Sequence, residues 1–369
     1  MYEFQYSCIY NSRHDLQSKR VIDHGKSLGY VHSEHITEGR IFLVGTLEIS
    51  YKREPILSKY SEASREIEKS PTDHLFSAAV DPRELYVDEN VQNEACPLGC
   101  ILPETEYFLE SPNLERVKLL LGDDASTHLV DGVVIGVWGE RTADHQFLVS
   151  AIIHALDAAE PAGKESTVSA RPWKEAGKMS DQDIFRDQVF LVTRTKEAKM
   201  APKETTVMHL GMLDEDLEEP HGRVLVVPTA PESALFMIPW KACETTDGLR
   251  TKHKNLEAVA NPSVLSVNGI AVGIVNIKSI LCLLKHHSAM CTEANYFKAL
   301  EILVKNMHLS PLSPLSCPTL PMKEDVLVMG RVPDVLVLKC GVDSTKRIQI
   351  SGWTVLLVLV KSQALVLSR

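Results

Sequence analysis

A series of short apolar runs constrains this chain more than any other feature: Val189 to Val192, Val224 to Val227, Val264 to Val275, Asp325 to Met329, Asp334 to Leu338 and Thr354 to Val360. A run without polar alternation cannot turn one face to water, so such runs mark strands covered on both sides. None approaches the roughly 18 apolar residues that a membrane-spanning helix requires. Between them lie two segments with helical spacing. Ile277 to His286 places Ile277, Ile280, Leu281 and Leu284 on one face, and Glu293 to Met307 follows a Thr292 cap with a Phe297, Leu300, Val304, Met307 stripe. The pattern predicts a sheet with covering helices over residues 181–369, with the last four runs completing one sheet.

The first part reads differently. Ile41 to Ser50 predicts a strand with a glycine bend at Gly45, and after a polar excursion from Glu62 to Leu102 come Leu114 to Leu121, Leu129 to Trp138 and Phe147 to Ile153. Short strands with turn signals at Gly122-Asp123-Asp124 and Arg141 to His145 predict a small five-stranded barrel of the OB type over residues 41–160. Residues 1–40 form an arm with a charged helical stretch after Tyr6 to Tyr10 and Arg13. Pro161 to Gly177, rich in Pro, Gly, Ser, Lys and Glu, predicts a linker over 161–180.

Charge and cysteine content narrow the function. A net charge of -10 disfavours tight autonomous binding to nucleic acid. The cluster Arg250, Lys252, His253, Lys254 reads as a solvated loop, and Trp138 and Phe147 read as packing residues rather than base-stacking platforms. The eight cysteines have no framework spacing, which predicts free thiols in a reducing compartment. Cys96-Pro-Leu-Gly-Cys100 has no second pair with which to build a zinc module, and His32-Ser-Glu-His35 lacks a third ligand. His286-His287 reads as a solvated helix end.

Several motifs together carry a resemblance. These are Tyr6-Ser7-Cys8-Ile9-Tyr10 with Arg13, then Gly45-Thr46-Leu47, Leu114-Glu115-Arg116-Val117-Lys118-Leu119, Val137-Trp138-Gly139 and Phe147-Leu148-Val149. They continue in Asn261-Pro262 with Asn268-Gly269-Ile270, His308-Leu309-Ser310-Pro311-Leu312-Ser313-Pro314, Gly330-Arg331-Val332-Pro333 and Gly352 to Val358. In order and approximate spacing they resemble the B subunits of DNA polymerases alpha, delta and epsilon, most closely the delta branch. The resemblance implies an OB-fold barrel plus an inactivated, calcineurin-like phosphoesterase domain. It implies a nuclear, non-catalytic accessory subunit of DNA replication and repair synthesis, with no cofactor of its own. The implied partners are the delta catalytic subunit, through its cysteine-rich C-terminal tail, and a further accessory subunit, with DNA and the sliding clamp reached only through the complex.

An active phosphoesterase of this kind holds two cations about 4 Å apart with Asp, Asn and His ligands at strand ends. Where the resemblance would place the motifs, the chain has Thr193-Arg194-Thr195, Pro228-Thr229-Ala230-Pro231-Glu232, and Arg331 and Pro333 in place of two histidines. A permanently protonated guanidinium and a ring nitrogen without a lone pair cannot bind a divalent metal. The segment between Val192 and Val224 has room for one βα unit, with Met212 to Glu215 resembling its helix. The second domain is therefore expected to be abridged, as a reduced member of the family or a shortened form. The alternatives are a single-strand nucleic-acid-binding OB protein and a diverged, metal-dependent phosphodiesterase.

Overall fold

The computed structural model of the chain describes residues 6–35, 39–50, 105–111, 114–122, 128–159, 167–173, 188–199, 201, 205–211, 222–229, 237–240, 254–287 and 289–369. Helix α1 (Tyr6–Ser27) leads into a closed barrel of β1 (Arg40–Ser50), β2 (Glu106–Ser111), β3 (Leu114–Leu120), β4 (Val134–Arg141) and β5 (Phe147–His154). The strands run around the barrel in the order β1-β2-β3-β5-β4, with β3 and β5 parallel through Leu119 opposite Phe147. This is the five-stranded Greek-key closure of an OB fold. β1 is long because it serves two neighbours: residues 40–46 pair with β4 and residues 46–50 with β2. The switch occurs at Thr46, directly after Gly45, where an added Cβ would run into the Glu110 carbonyl oxygen, so the expected glycine bend has a steric cause.

The second domain is a sandwich of two sheets rather than the single sheet expected. One sheet has six strands, in the order β10 (Leu256–Ala258), β9 (Arg223–Val227), β8 (Thr206–Leu210), β7 (Val189–Val192), β16 (Leu365–Ser368) and β6 (Ser169–Pro172). The other has five, in the order β11 (Ser263–Val267), β12 (Ile270–Val275), β13 (Val335–Lys339), β15 (Trp353–Val360) and β14 (Ser344–Ile350). β7 to β10 are mutually parallel, as are β12, β13 and β15. Leu191, Met208, Leu210 and Leu225 of one sheet meet Val272, Ile274, Val337 and Val358 of the other in a shared core. Helices α3 (Ile277–His286) and α4 (Glu293–Lys305) cover the far face of the five-stranded sheet, and α2 (Thr195–Lys199) with Trp173 packs on the six-stranded one. Between β7 and β9 stand α2 and β8, matching the single βα unit the spacing allows; Met212 to Glu215 lie outside the described residues.

Three boundaries differ from expectation for physical reasons. The Leu129 to Trp138 run becomes a strand only at Val134, because Gly132 turns the chain at φ 82°. Asp325 to Met329 forms no ladder: apart from a single bridge between Val328 and His308, it is a loop whose Asp325, Leu327 and Met329 point inward. Part of the expected 161–180 linker is strand β6, held by antiparallel pairing to β16 through Ser169 opposite Ser368.

Candidate functional site

The element that ties the molecule together starts from α1. Its buried positions include Ile9, Arg13, Gln17, Val21 and Gly25, a stripe four residues apart that contains two polar side chains. Arg13 is 1% exposed, and its guanidinium makes four hydrogen bonds. Nε donates to Asp325 Oδ2 at 2.7 Å, Nη1 to the carbonyls of Gly132 at 2.9 Å and Pro311 at 2.8 Å, and Nη2 to the Ser313 carbonyl at 2.6 Å. One side chain thus joins the helix, the barrel and the second domain. Asp325 also accepts from His308 Nε2 at 3.0 Å, while His308 Nδ1 accepts the Ser310 N–H at 3.0 Å. Those bonds fix the Nε2–H tautomer, so His308 is neutral and Arg13 supplies the balancing charge. Burial alone would raise the Asp325 carboxyl, but His308 and Arg13 outweigh it and hold the group well below the usual carboxylate range.

A polar seam continues this anchor along the barrel. Asn306, at the end of α4, accepts from His154 Nδ1 at 2.9 Å and donates to the His128 carbonyl at 2.8 Å, and Gln17 donates to the Asn306 carbonyl at 3.0 Å. Lys305 Nζ donates to Asp157 at 2.5 Å and to Ser351 at 2.7 Å. Burial lowers the His154 imidazole to about 4, so it bridges barrel and helix as a neutral ring. Beside α1, Tyr10, His14, Leu47, Glu48, Glu110 and Asp131 line a groove of about 640 Å³.

At the other end of the sandwich, the parallel strands of both sheets finish at a common edge. β7 is followed by Thr193, β8 by Gly211 and β9 by Pro228-Thr229, and β13 ends at Lys339. Asn261 donates to the Pro228 carbonyl at 2.7 Å, and Asn276, which caps α3, donates to the Asn261 carbonyl at 3.2 Å. Lys339 crosses from one sheet to the other: its Nζ donates to the Leu210 carbonyl at 2.7 Å and to Thr229 Oγ1 at 3.4 Å. Burial lowers its pKa.

Arg331 and Pro333 are not at this edge. They precede β13, at the opposite end of the sheet, where exposed Arg331 reaches the Leu265 carbonyl at 3.3 Å and Asp334 accepts the Ala271 N–H at 2.7 Å. Expecting a metal motif there assumed that Asp325 to Met329 was a strand leading into the loop. The residues beside the strand ends are instead Thr193, Thr195, His209, Thr229, Lys339 and Cys340. That set does not fit a two-metal centre. The Lys339 amine occupies the crossing between the sheets, and the Glu197 carboxylate beside β7 is taken up by the Thr193 N–H at 3.3 Å.

The remaining sequence candidates separate. His287 is buried rather than solvated, and burial lowers its imidazole to about 4; His286 is half-buried beside it. The cause is that α3 turns its C-terminal end into the molecule. His35 is exposed, and His32 pairs through its backbone with Phe42. Phe147 is in the barrel core, whereas Trp138 lies on the barrel's flank, stacked on Tyr30 with ring centroids 4.9 Å apart and covered by Arg40. Lys254 is exposed. Cys96, Cys100, Asp123, Asp124, Glu232, Arg250, Lys252 and His253 lie outside the described residues. The Arg13 anchor carried a signal that sequence reasoning quoted without assigning a role: an arginine in the every-fourth-residue buried stripe of a helix.

Comparisons with known proteins agree with this two-part architecture. Residues 5–152 match the family model of the DNA polymerase delta subunit OB-fold domain, and residues 184–346 match that of the DNA polymerase alpha/epsilon B subunit. The DNA polymerase II small subunit of Archaeoglobus fulgidus is 35% identical over 88 residues, which cover 24% of this chain and 17% of that relative's length. The two family matches do not overlap; the first takes in α1 and the barrel, the second most of the sandwich. With both parts matched in the order the fold presents them, the chain belongs to the B-subunit family of DNA polymerases.

Proposed function

We propose that the protein is the non-catalytic accessory subunit of a replicative polymerase, of the delta type, and that its sandwich is an inactive, abridged phosphoesterase that serves as a scaffold. The observation that carries this reading is Lys339, whose amine spans the strand-end edge where an active relative would need anionic ligands around two cations. The match of residues 5–152 to the delta-subunit OB model supports delta over alpha and epsilon.

In this role the chain performs no turnover. It presents a surface whose shape is set in advance, because the Arg13 anchor and the Asn306 seam fix the helix, barrel and sandwich together before any partner arrives. The partners are the catalytic subunit, gripped by its cysteine-rich C-terminal tail, and a further accessory subunit. DNA and the clamp are engaged only through that complex, in replication and repair synthesis in the nucleus.

Co-expression with a candidate catalytic subunit, with and without its cysteine-rich tail, tests the proposal. Recovery of a stoichiometric complex that depends on the tail is expected. Recovery without the tail, or none with it, defeats the scaffold reading. Manganese-stimulated hydrolysis of a chromogenic phosphodiester above a mock preparation would defeat the inactive-site reading.

A further inference from the structure

The groove beside α1 is walled by three parts of the molecule. Tyr10 and His14 come from the helix, Glu48, Glu110 and Asp131 from the barrel, and Leu315 from the loop that supplies the acceptors of Arg13. Leu315 follows the Ser313 carbonyl that Arg13 holds, so its 79% exposed side chain stands on an anchored rim. In the helical wall, Tyr10 Oη and His14 Nε2 are both closed off from water, and neither has a hydrogen-bond partner among the described residues. A polar atom in that state carries a cost that a bound group can relieve after a small rotation of the side chain.

The barrel wall is short of positive charge. Arg116 pairs with Glu48 at 2.6 Å and stands 3.6 Å from Glu110, while the nearby Arg13 is committed to Asp325. Three carboxylates therefore share one available guanidinium among the described residues. Burial, and after it the neighbouring Glu48, push the Glu110 carboxyl up, and the same two influences raise Asp131 against the hydrogen bond it accepts from the Ile49 N–H at 3.0 Å. The three carboxylates do not form a metal-ligating group, since no such cluster stands among the described residues. A second copy of the chain, with a net charge of -10, would bring a like-signed surface. The groove thus suits a cation carried on an apolar support.

We infer that this groove is a docking site for a segment of another polypeptide that presents an arginine to Glu110 and Asp131 and an apolar side chain to Leu315. Arginine fits better than lysine, because its planar fork of five donors can serve several oxygens at once, where an ammonium acts as a point charge. The apolar neighbour covers the Leu315 rim and excludes water from the ion pairs, which strengthens them. The inference rests on the scaffold reading only in that the chain binds other polypeptides; it adds where one of them binds and by what chemistry.

The test is to pan a random peptide library displayed on phage against the full-length chain, then to measure the enriched peptide, labelled with fluorescein, by anisotropy. Peptides with an arginine beside an aliphatic or aromatic residue are expected, with an affinity that falls as salt rises. Replacing the peptide's arginine by alanine should abolish binding. On the protein, Glu110→Gln and Leu315→Ser, both at exposed positions, should each weaken binding roughly five- to tenfold, the range of a single charge or apolar contact. Tyr10→Phe should weaken it less, and Glu257→Gln, on the distant β10, should leave it unchanged. Unchanged thermal melts show that the variants fold. No enrichment, enrichment of peptides without a basic residue, or binding indifferent to Glu110→Gln and Leu315→Ser would overturn the inference. So would a dimer seen by light scattering that Leu315→Ser dissolves, which would give the groove to a second copy. The peptide is measured on the chain alone, so failure here leaves the tail-dependent complex standing, and failure of that complex leaves this result standing.

Discussion

Arg13 and Lys339 are both cations withdrawn from water between structural layers, and the protein compensates them in opposite ways. Arg13 meets a carboxylate and three carbonyls with all its bonds short, and sits where helix, barrel and sandwich converge. Among the described residues Lys339 meets a carbonyl and a hydroxyl, and burial lowers its pKa. A buried charge with an ionic partner is costly to disrupt from one side, whereas a half-buried lysine with neutral acceptors contributes little net stability. The Arg13 site is thus built for cohesion, while the Lys339 edge joins the two sheets through neutral acceptors.

The largest expected break in that comparison is Arg13→Ala. It strands Asp325 in the interior, and the loss should be about 3–5 kcal/mol in urea unfolding. The double variant Arg13→Met with Asp325→Leu should be less damaging than either single change, because it removes both charges together. A double variant worse than the sum of the singles would show that the pair is not the source of cohesion.

Protons offer a second probe. His154 and His287 fall to about 4 in the folded state, below the ordinary imidazole value near 6.5. The unfolded chain therefore binds more protons between those values. Stability is fully present above about pH 6.5 and is lost as pH falls toward 4, by on the order of 2–3 kcal/mol for His154 alone. Asp325, depressed by His308 and Arg13 against its burial, adds a further loss below about pH 4. Urea midpoints measured from pH 7.5 to 4.5 should decline, and His154→Gln should flatten the slope; a midpoint independent of pH across that range would contradict the neutral seam.

Smaller effects sharpen the contrast. Lys339→Met should change stability by less than about 1 kcal/mol in either direction, since the amine's hydrogen bonds and its desolvation nearly cancel. A large loss would place Lys339 beside Arg13 as an anchor. Replacing Arg223, which pairs with Glu257 at 2.6 Å on the surface with both side chains about half exposed, should cost no more than about 0.5 kcal/mol and sets the baseline.

Much of the fold can be read from residue order because burial and periodicity are local. Helix α3 begins and ends where its apolar spacing does, α4 starts at the Thr292 cap, and β1, β3 and β5 lie within a residue of their apolar runs. β14 escaped notice because its Ser344-Thr-Lys-Arg-Ile-Gln-Ile350 is an edge strand with mostly exposed positions, and β6 because four residues with a proline resemble a loop until β16 pairs with them. Asp325 to Met329 misled in the other direction, since its alternating burial serves a loop held by side chains rather than a ladder. The strand-end site was legible in part: Thr193 and Thr229 fell where expected, but Lys339 could be placed only once the two sheets were seen to share an edge. Arg13 binds partners up to 312 positions away, beyond the reach of any local pattern.

That separation bears on how the protein is made. The carboxylate that neutralises the α1 guanidinium is translated 312 residues after it. Closing so long a loop is a slow step in assembly. The Arg13 anchor can therefore close only after those intervening residues have been made, and until then α1 has the barrel residues Phe42, Val44, Val134 and Ile153 as its seat.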